Sequence, residues 1–126
     1  MVACHNTVTT LFFVLQKKGI RIMKKVFISQ PMNGLSDEEI LNNRKHALKL
    51  LEKYMDGEEF EIIDSFFQSA PHGAKPLWFL GKSLELLSNA DFALFLEGWE
   101  KARGCRIEQI CCQEYGILCI YINGEN

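Results

Sequence analysis

The stretch "KVFISQPMNGLSDEE", residues 25–39, holds the signals of a strand, a turn and a helix start in immediate succession. Its first five residues form a short, mostly apolar run that is typical of a buried strand. The proline, asparagine and glycine of "QPMNG", residues 30–34, indicate a turn. Ser36 and Glu39 then have the spacing of a capping box, which begins a helix. The stretch therefore predicts one strand–turn–helix unit.

The alternation of strand and helix continues to the end of the chain. The first helix keeps helical spacing through an apolar stripe of Ile40, Arg44, Ala47, Leu48, Leu51 and Tyr54 or Met55. We expect further strands at residues 60–64, 91–96 and 117–122, and helices at residues 77–89 and 105–115, the last closed by Gly116. This order predicts a three-layer α/β fold, a Rossmann-like (flavodoxin-like) sandwich with a parallel sheet of four to five strands.

Such a sheet also predicts where a ligand binds, because ligands of open parallel sheets lie beyond the carboxyl ends of the strands. Three segments meet there by topology, at residues 29–34, 64–76 and 97–108. We therefore expect one cleft lined by these segments.

Composition limits the class of protein. The 126 residues are 48% hydrophobic and 24% charged with a net charge of −2, which fits one globular domain and argues against duplex nucleic acid as a partner. The five cysteines lack Cys-x-x-Cys spacing and nearby histidines. We interpret them as reduced, mostly buried thiols of a cytoplasmic protein, with no metal and no cofactor.

The amino-terminal segment differs from the rest of the chain. Its apolar run, residues 8–15, is too short for a membrane span, and its lysines follow the run instead of preceding it as in a secretory signal. Met23 opens "MKKVFIS", where an α/β domain of this kind would begin. We expect residues 1–22 to be a translated leader or disordered extension, residues 23–122 the domain and residues 123–126 a tail.

Glu108 is the candidate catalytic residue, and two interpretations of it stay open. It follows "GCRI" in what looks like the first turn of a helix, where the helix dipole favours an ionised carboxylate. An ionised carboxylate facing the cleft can attack an electrophilic sugar carbon. The alternative is a helix-start charge with no chemical role.

Other candidates also have two interpretations. The loop with Ser29, Gln30, Pro31, Met32, Asn33 and Gly34 could cradle an anion or be a plain turn. Trp99, after Gly98, could form an aromatic wall for a base or sugar, or cover the sheet edge. His72 could be a general acid or base, or a solvent-exposed loop residue.

Two segments carry a resemblance to a known family: "KVFISQPMNG" and "LSNADFALFLEGWEKARGCRIEQICCQEYGI", residues 87–117. Over residues 24–122 the chain resembles the nucleoside 2-deoxyribosyltransferase-like superfamily, and within it a branch of small, mostly phage and bacterial proteins of unassigned function. That branch shares the PM-x-G turn and the GW-x-x-[SA]-x-G-C-x-x-E segment.

The resemblance implies a pocket for a nucleoside or nucleotide and a glutamate nucleophile, which falls on Glu108. Relatives include transferases that move deoxyribose between bases and hydrolases that cleave deoxynucleoside monophosphates. Glycines of the family match Gly34 and Gly104. Relatives also imply a homodimer or larger homo-oligomer, in which a neighbouring subunit completes the pocket.

Three supporting positions depart from the family pattern. A tyrosine of the first strand falls on Phe27, an aspartate that handles the proton of the leaving base falls on Ser83, and a phosphate-binding serine falls on Ala102. His72, Asp64 and Asp91 are the available substitutes for the aspartate, and Asp64 belongs to the expected cleft.

Two functions follow as hypotheses: an N-glycosidase or deoxyribosyltransferase, and a catalytically impaired protein of phage or mobile-element origin that binds or sequesters a nucleotide.

Overall fold

The computed structural model describes residues 2–3, 23–65 and 70–122. Its strands are β1 (Val2–Ala3), β2 (Lys24–Ser29), β3 (Phe60–Ile63), β4 (Phe92–Phe95) and β5 (Leu118–Tyr121). Its α-helices are α1 (Asp37–Met55), α2 (Pro76–Leu87) and α3 (Arg103–Tyr115), and a short 3-10 helix spans Trp99–Lys101. Most of the expected leader and all of the expected tail lie outside the described residues, so those predictions stay predictions.

The strands form one sheet in the order β1-β5-β4-β2-β3. Strands β2, β3, β4 and β5 run parallel, whereas the two residues of β1 pair antiparallel with β5. The predicted three-layer α/β fold with a parallel sheet is confirmed. From β2 the chain first adds β3 on one side and then β4 on the other, so strand order reverses between β2 and β4. Ligands of such sheets bind at this reversal.

Each face of the sheet has its own core, because successive side chains of a strand point to opposite faces. Val26 and Ile28 of β2 pack on one face with Ala47 and Leu51 of α1. Phe27 packs on the other face in a cluster with Phe95, Leu87 of α2 and Cys112 of α3. The molecule is therefore layered as α1, sheet, and α2 with α3.

Sequence signals explain where the helices begin and end. Glu39 N–H donates to the hydroxyl of Ser36, the N-cap of α1, as the capping box predicts, and the Ser36 hydroxyl also donates to the Glu39 carboxylate. Pro76 occupies the first turn of α2, where its missing N–H is tolerated. Gly116 ends α3 with a left-handed conformation at φ 73°, as predicted.

Helix α3 begins earlier than predicted, which changes the position of Glu108. It starts at Arg103, after Ala102 as its N-cap, and its first turn contains no acidic residue. Glu108 is the sixth residue of α3 and lies in its second turn. The prediction that Glu108 lies in the first turn is therefore wrong. The cause is Gly104, which suggests loop structure in the sequence but adopts a helical conformation here.

Candidate functional site

Glu108 lies at the carboxyl end of β2 and is held there by Ser29. The Ser29 hydroxyl donates a hydrogen bond of 2.7 Å to Oε1 of Glu108. Only 6% of Glu108 and 1% of Ser29 is exposed to solvent. Ser29 is the last residue of β2, beside the reversal of strand order, so the carboxyl group occupies the place where this fold binds ligands.

Burial dominates the electrostatics of Glu108. It raises the pKa of the carboxyl group from 4.5 to about 7, whereas hydrogen bonds from Ser29 and Ser83 act in the opposite direction. Burial penalises the charged form, and the two hydroxyls stabilise it. Both the acid and the carboxylate form of Glu108 are therefore accessible near neutral pH. The position of Glu108 in the second turn of α3 argues against its interpretation as a helix-start charge, because that interpretation requires the first turn.

Two more side chains meet at the same point. Ser83, half-buried in α2, lies near the Glu108 carboxyl group and lowers its pKa. Cys105, one turn before Glu108 in α3, is 3% exposed and lies beside Ser29. Burial raises the pKa of the Cys105 thiol to about 11, so it is a neutral thiol at physiological pH. We call Ser29, Ser83, Cys105 and Glu108 the Glu108 cluster.

A second polar cluster lies on the α1 side of the same strand end. Arg44 Nε donates to Gln30 Oε1 at 2.9 Å, and its Nη2 donates to the Ser65 hydroxyl at 3.2 Å. Ser65 in turn donates to the Ile28 carbonyl, and the Gln30 amide donates to the Ile40 carbonyl. We call Arg44, Gln30 and Ser65, together with Asp64 described below, the Arg44 cluster.

Asp64 joins the Arg44 cluster by an ion pair. Its Oδ1 lies 3.5 Å from Arg44 Nη1, and its side chain is 83% exposed, whereas that of Arg44 is 10% exposed. Burial lowers the pKa of Arg44, and the charge of Asp64 counteracts that effect. An arginine still stays protonated at neutral pH. The cluster therefore places a buried cation at the carboxyl ends of β2 and β3.

The loop after β2 contacts the segment after β4, as the topology predicts. A Cβ atom at Gly98 would lie 3.4 Å from Cγ of Pro31, and Gly98 has a φ of 88° that favours glycine. Leu35 N–H closes the turn by donating to the Met32 carbonyl at 3.1 Å. Asn33 and Gly34 are exposed at the tip. Binding of an anion by this loop stays a prediction.

Trp99 packs over the ends of β4 and β5. Its ring centroid lies 5.4 Å from that of Phe95 and 5.3 Å from that of Tyr121. The Tyr121 hydroxyl accepts a hydrogen bond from the Gln109 amide at 3.0 Å. These contacts agree with the interpretation of Trp99 as a cover of the sheet edge. Contact with a ligand stays a prediction.

The remaining candidates do not meet Glu108 in the same way. The Asp91 carboxylate accepts a hydrogen bond of 2.7 Å from Lys25 N–H near the start of β2, at the end of the sheet opposite the Glu108 cluster. His72 is exposed in its loop. Ala102 and Gly104 lie at the start of α3, one turn before Glu108, where they shape the backbone without supplying a polar side chain.

The described part of the chain contains neither a metal-binding group of side chains nor a helix suited to a membrane. Across residues 2–3, 23–65 and 70–122, no group of three histidine, cysteine, aspartate or glutamate side chains is arranged to hold a metal ion. Four cysteines in this part are free thiols, namely Cys105, Cys111, Cys112 and Cys119. Within the same ranges, none of the helices combines the length and the apolar content required to cross a bilayer.

The extent of the domain agrees with a family comparison. A family model described as "Domain of unknown function (DUF4406)" matches residues 24–121. The chain belongs to the DUF4406 family. No curated protein and no solved structure matches it. The DUF4406 match runs from the first residue of β2 to the last of β5, so it contains both polar clusters.

Several residues of the DUF4406 site are missing from the sequence-based set. Arg44 fits the stripe of α1 by spacing, and its role is visible only when Gln30 and Ser65 are placed around it. The sequence signal for this role is a cation within an otherwise apolar stripe, because a buried charge requires polar partners. Ser83 entered only as a departure from the family pattern, although its hydroxyl reaches Glu108.

Proposed function

We propose that this protein is an N-glycosidase or deoxyribosyltransferase-like enzyme that processes nucleosides or nucleotides with Glu108 as nucleophile. One observation carries the proposal: the buried Glu108 carboxyl group accepts a hydrogen bond from the Ser29 hydroxyl at the carboxyl end of β2, beside the reversal of strand order. A carboxyl group fixed in this way is oriented before a substrate arrives, and preorganised groups are the effective ones in catalysis.

The reaction begins with the ionised form of Glu108. A carboxylate oxygen attacks the anomeric carbon of the sugar, a C–O bond forms and the C–N bond to the base breaks. The electron pair of that bond leaves with the base, which takes up a proton from solvent or an acid group. Water, or a second base, then attacks the same carbon and releases Glu108 as a carboxylate.

The hydroxyls of Ser29 and Ser83 have a definite role in this scheme. The Ser29 hydroxyl donates to the carboxylate, and both hydroxyls lower its pKa and so stabilise the form that attacks, against the effect of burial. The proton for the leaving base has no comparable donor in the described cluster, since Ser83 stands where relatives carry an aspartate. We expect a slow reaction, because a missing general acid or base costs about 10²–10⁴-fold in rate.

The nucleoside as substrate class is supported by the resemblance to the nucleoside 2-deoxyribosyltransferase-like superfamily. The segments that carry it, residues 25–34 and 87–117, contain Ser29, Gly98 and Glu108, which the fold brings to one end of the sheet. The reduced state of Cys105, Cys111, Cys112 and Cys119 supports a cytoplasmic location.

A second function is favoured by the pKa of Glu108. At about 7 it leaves a large fraction of the residue protonated, and a protonated carboxyl group donates a hydrogen bond but does not attack. A protein that binds or sequesters a nucleotide, as a phage or mobile element would use, needs only this hydrogen-bonding capacity. The same carboxyl group serves both functions, and release of the base separates them.

A homodimer or larger homo-oligomer is part of the proposal. Apolar side chains are exposed on the two helices that share one face of the sheet: Leu77 of α2 is 76% exposed, and Ile110 and Tyr115 of α3 are 53% and 82% exposed. Contact between two copies through this face would cover them. Sedimentation velocity across a range of concentrations measures the state, and a monomer at every concentration removes this part of the proposal.

The enzyme is tested by incubation with deoxynucleosides and deoxynucleoside monophosphates, with chromatography of the released base. The proposal expects slow release from at least one compound and loss of release in Glu108→Gln. Glu114→Gln is the matched control, because Glu114 is an exposed carboxylate on the same helix. Release that persists in Glu108→Gln removes Glu108 as nucleophile. Thermal stabilisation by a compound that is not cleaved favours the binding protein.

A further inference from the structure

The Arg44 cluster has no part in the chemistry proposed for Glu108. In it, polar side chains surround the buried guanidinium group of Arg44. Among the described residues, hydrogen bonds to Gln30 and Ser65 use two of the five N–H groups of Arg44. These bonds fix the plane of the guanidinium group. Its Nη1 atom faces the Asp64 carboxylate at 3.5 Å, which is an ion pair longer than a good charge-assisted hydrogen bond.

The two polar clusters are joined through consecutive residues of one strand end. Ser29 contacts Glu108 on the face covered by α2 and α3, and Gln30 contacts Arg44 on the face covered by α1. Neighbouring Cα atoms are about 3.8 Å apart. A ligand that lies across the carboxyl end of β2 therefore has a carboxyl group on one side and a guanidinium group on the other.

We propose that Arg44 is an anion-binding residue that takes the phosphate group of a nucleoside monophosphate, with Nη1 exchanging the Asp64 carboxylate for phosphate oxygens. The nucleoside part of this ligand rests on the function proposed above. Guanidinium groups bind phosphate well because their N–H groups match its oxygens. Arg44 would thus supply the phosphate contact that relatives obtain from a serine, at the position of Ala102 here.

The surroundings of Arg44 fit an exchangeable anion. The Asp64 side chain is 83% exposed, so a phosphate group from solvent can reach its place beside Nη1 and replace one anion by another. Arg44 also lines a groove of about 380 Å³ along α1, together with Lys45, Lys49 and Glu52, so the cations of this groove outnumber its one carboxylate. Two further cations raise the local concentration of anions.

The test is a titration of the whole chain with inorganic phosphate, followed by NMR of the Arg44 Nε–H signal. We expect this signal to shift on binding. The dissociation constant should rise at least about tenfold in Arg44→Gln, because hydrogen bonds to charged groups are strong. It should fall about two- to fivefold in Asp64→Asn, which removes the competing carboxylate. Deoxynucleoside monophosphates should bind more tightly than the matching deoxynucleosides.

Controls separate this proposal from a general charge effect and from the catalytic proposal. Lys53→Gln removes an equal charge from an exposed position of α1 outside the groove and should change the dissociation constant less than twofold. Glu108→Gln should keep the affinity for phosphate even where base release is lost. If Arg44→Gln does not fold, the affinity of Asp64→Asn for phosphate tests the proposal, because Asp64 is exposed and its replacement should not prevent folding. Unchanged binding in folded Arg44→Gln, weaker binding in Asp64→Asn, or no binding to the unmodified chain overturns the proposal.

Discussion

The Ser29 hydroxyl donates a hydrogen bond of 2.7 Å to Oε1 of Glu108, which lies 79 residues later in the chain. This bond joins the end of the central strand β2 to the second turn of α3. Both residues are buried, and burial alone would keep the carboxyl group neutral. The bond therefore sets the balance between the acid and the carboxylate, on which the proposed chemistry depends.

The buried carboxyl group predicts an unusual dependence of stability on pH. The folded chain binds the Glu108 proton with a pKa of about 7, whereas the unfolded chain has the ordinary value of 4.5. The free energy of unfolding contributed by Glu108 therefore falls as pH rises from about 4.5 to about 7, and is constant outside this range. The loss amounts to about 3 kcal/mol, since one pKa unit is worth about 1.4 kcal/mol.

Replacement of Glu108 by glutamine tests this dependence. Glu108→Gln keeps the shape and cannot ionise, so we expect higher stability than the unmodified chain at pH 8 and similar stability at pH 4. Urea unfolding at both values measures the difference, and Glu114→Gln should show little difference at either. A variant that is less stable at pH 8 by the same amount as at pH 4 contradicts the raised pKa.

The two serines of the Glu108 cluster should tune the pKa in the same direction. Ser29→Ala or Ser83→Ala removes a donor to the carboxylate, so we expect the pKa of Glu108 to rise above about 7. NMR of the side-chain carboxyl carbon during a pH titration measures it. Ser88→Ala is the control, because its exposed hydroxyl donates to the Glu85 carbonyl. An unchanged or lower pKa in both cluster variants rules out the hydrogen-bond assignment.

Gln30 is expected to contribute to stability through the groups it satisfies. Its amide oxygen accepts from Arg44 and its amide nitrogen donates to the Ile40 carbonyl. Gln30→Ala leaves a buried charged donor short of a partner, so we predict a loss of about 2–3 kcal/mol in the free energy of unfolding. Asn42→Ala on the exposed side of α1 should cost far less. Equal losses in the free energy of unfolding of the two variants would show that disruption of the Arg44 cluster costs no more than truncation of an exposed side chain.

Two glycines of the candidate site should respond to alanine with opposite signs. Gly98 has a φ of 88° and its Cβ would meet Pro31, so Gly98→Ala should lower the free energy of unfolding by about 1–2 kcal/mol. Gly104 is helical with open space around the added atom, so Gly104→Ala should raise it by up to about 1 kcal/mol. Chemical denaturation of both variants compares them directly, and stabilisation by Gly98→Ala would contradict the left-handed backbone conformation of Gly98.

The order and type of the elements could be predicted because their signals are local. The capping box at Ser36 places the start of α1, and the apolar run that contains Phe92 and Phe95 marks a buried strand. The choice between Tyr54 and Met55 needed the structure: Tyr54 is 48% exposed, whereas Met55 packs on the core. Periodicity cannot resolve neighbours at a helix end.

The polar contacts of the site could not be predicted, because they join distant parts of the chain. Nothing local to Ser83 indicates that its hydroxyl reaches Glu108 from another helix. The burial that raises the pKa of Glu108 depends on the packing of α2, α3 and β2 together. A sequence pattern can therefore nominate Glu108 but cannot give its protonation state.

The central claim is that Glu108 forms a covalent bond to the sugar. Its most direct test is acid quenching of the protein during turnover of a cleaved deoxynucleoside or deoxynucleotide, followed by mass spectrometry of the peptide that contains Glu108. We predict an added sugar residue on Glu108 of the unmodified chain. In Glu108→Gln, both the added sugar and the release of the base should be absent. Base release that continues in Glu108→Gln, with no sugar on the peptide of the unmodified chain, would contradict the claim.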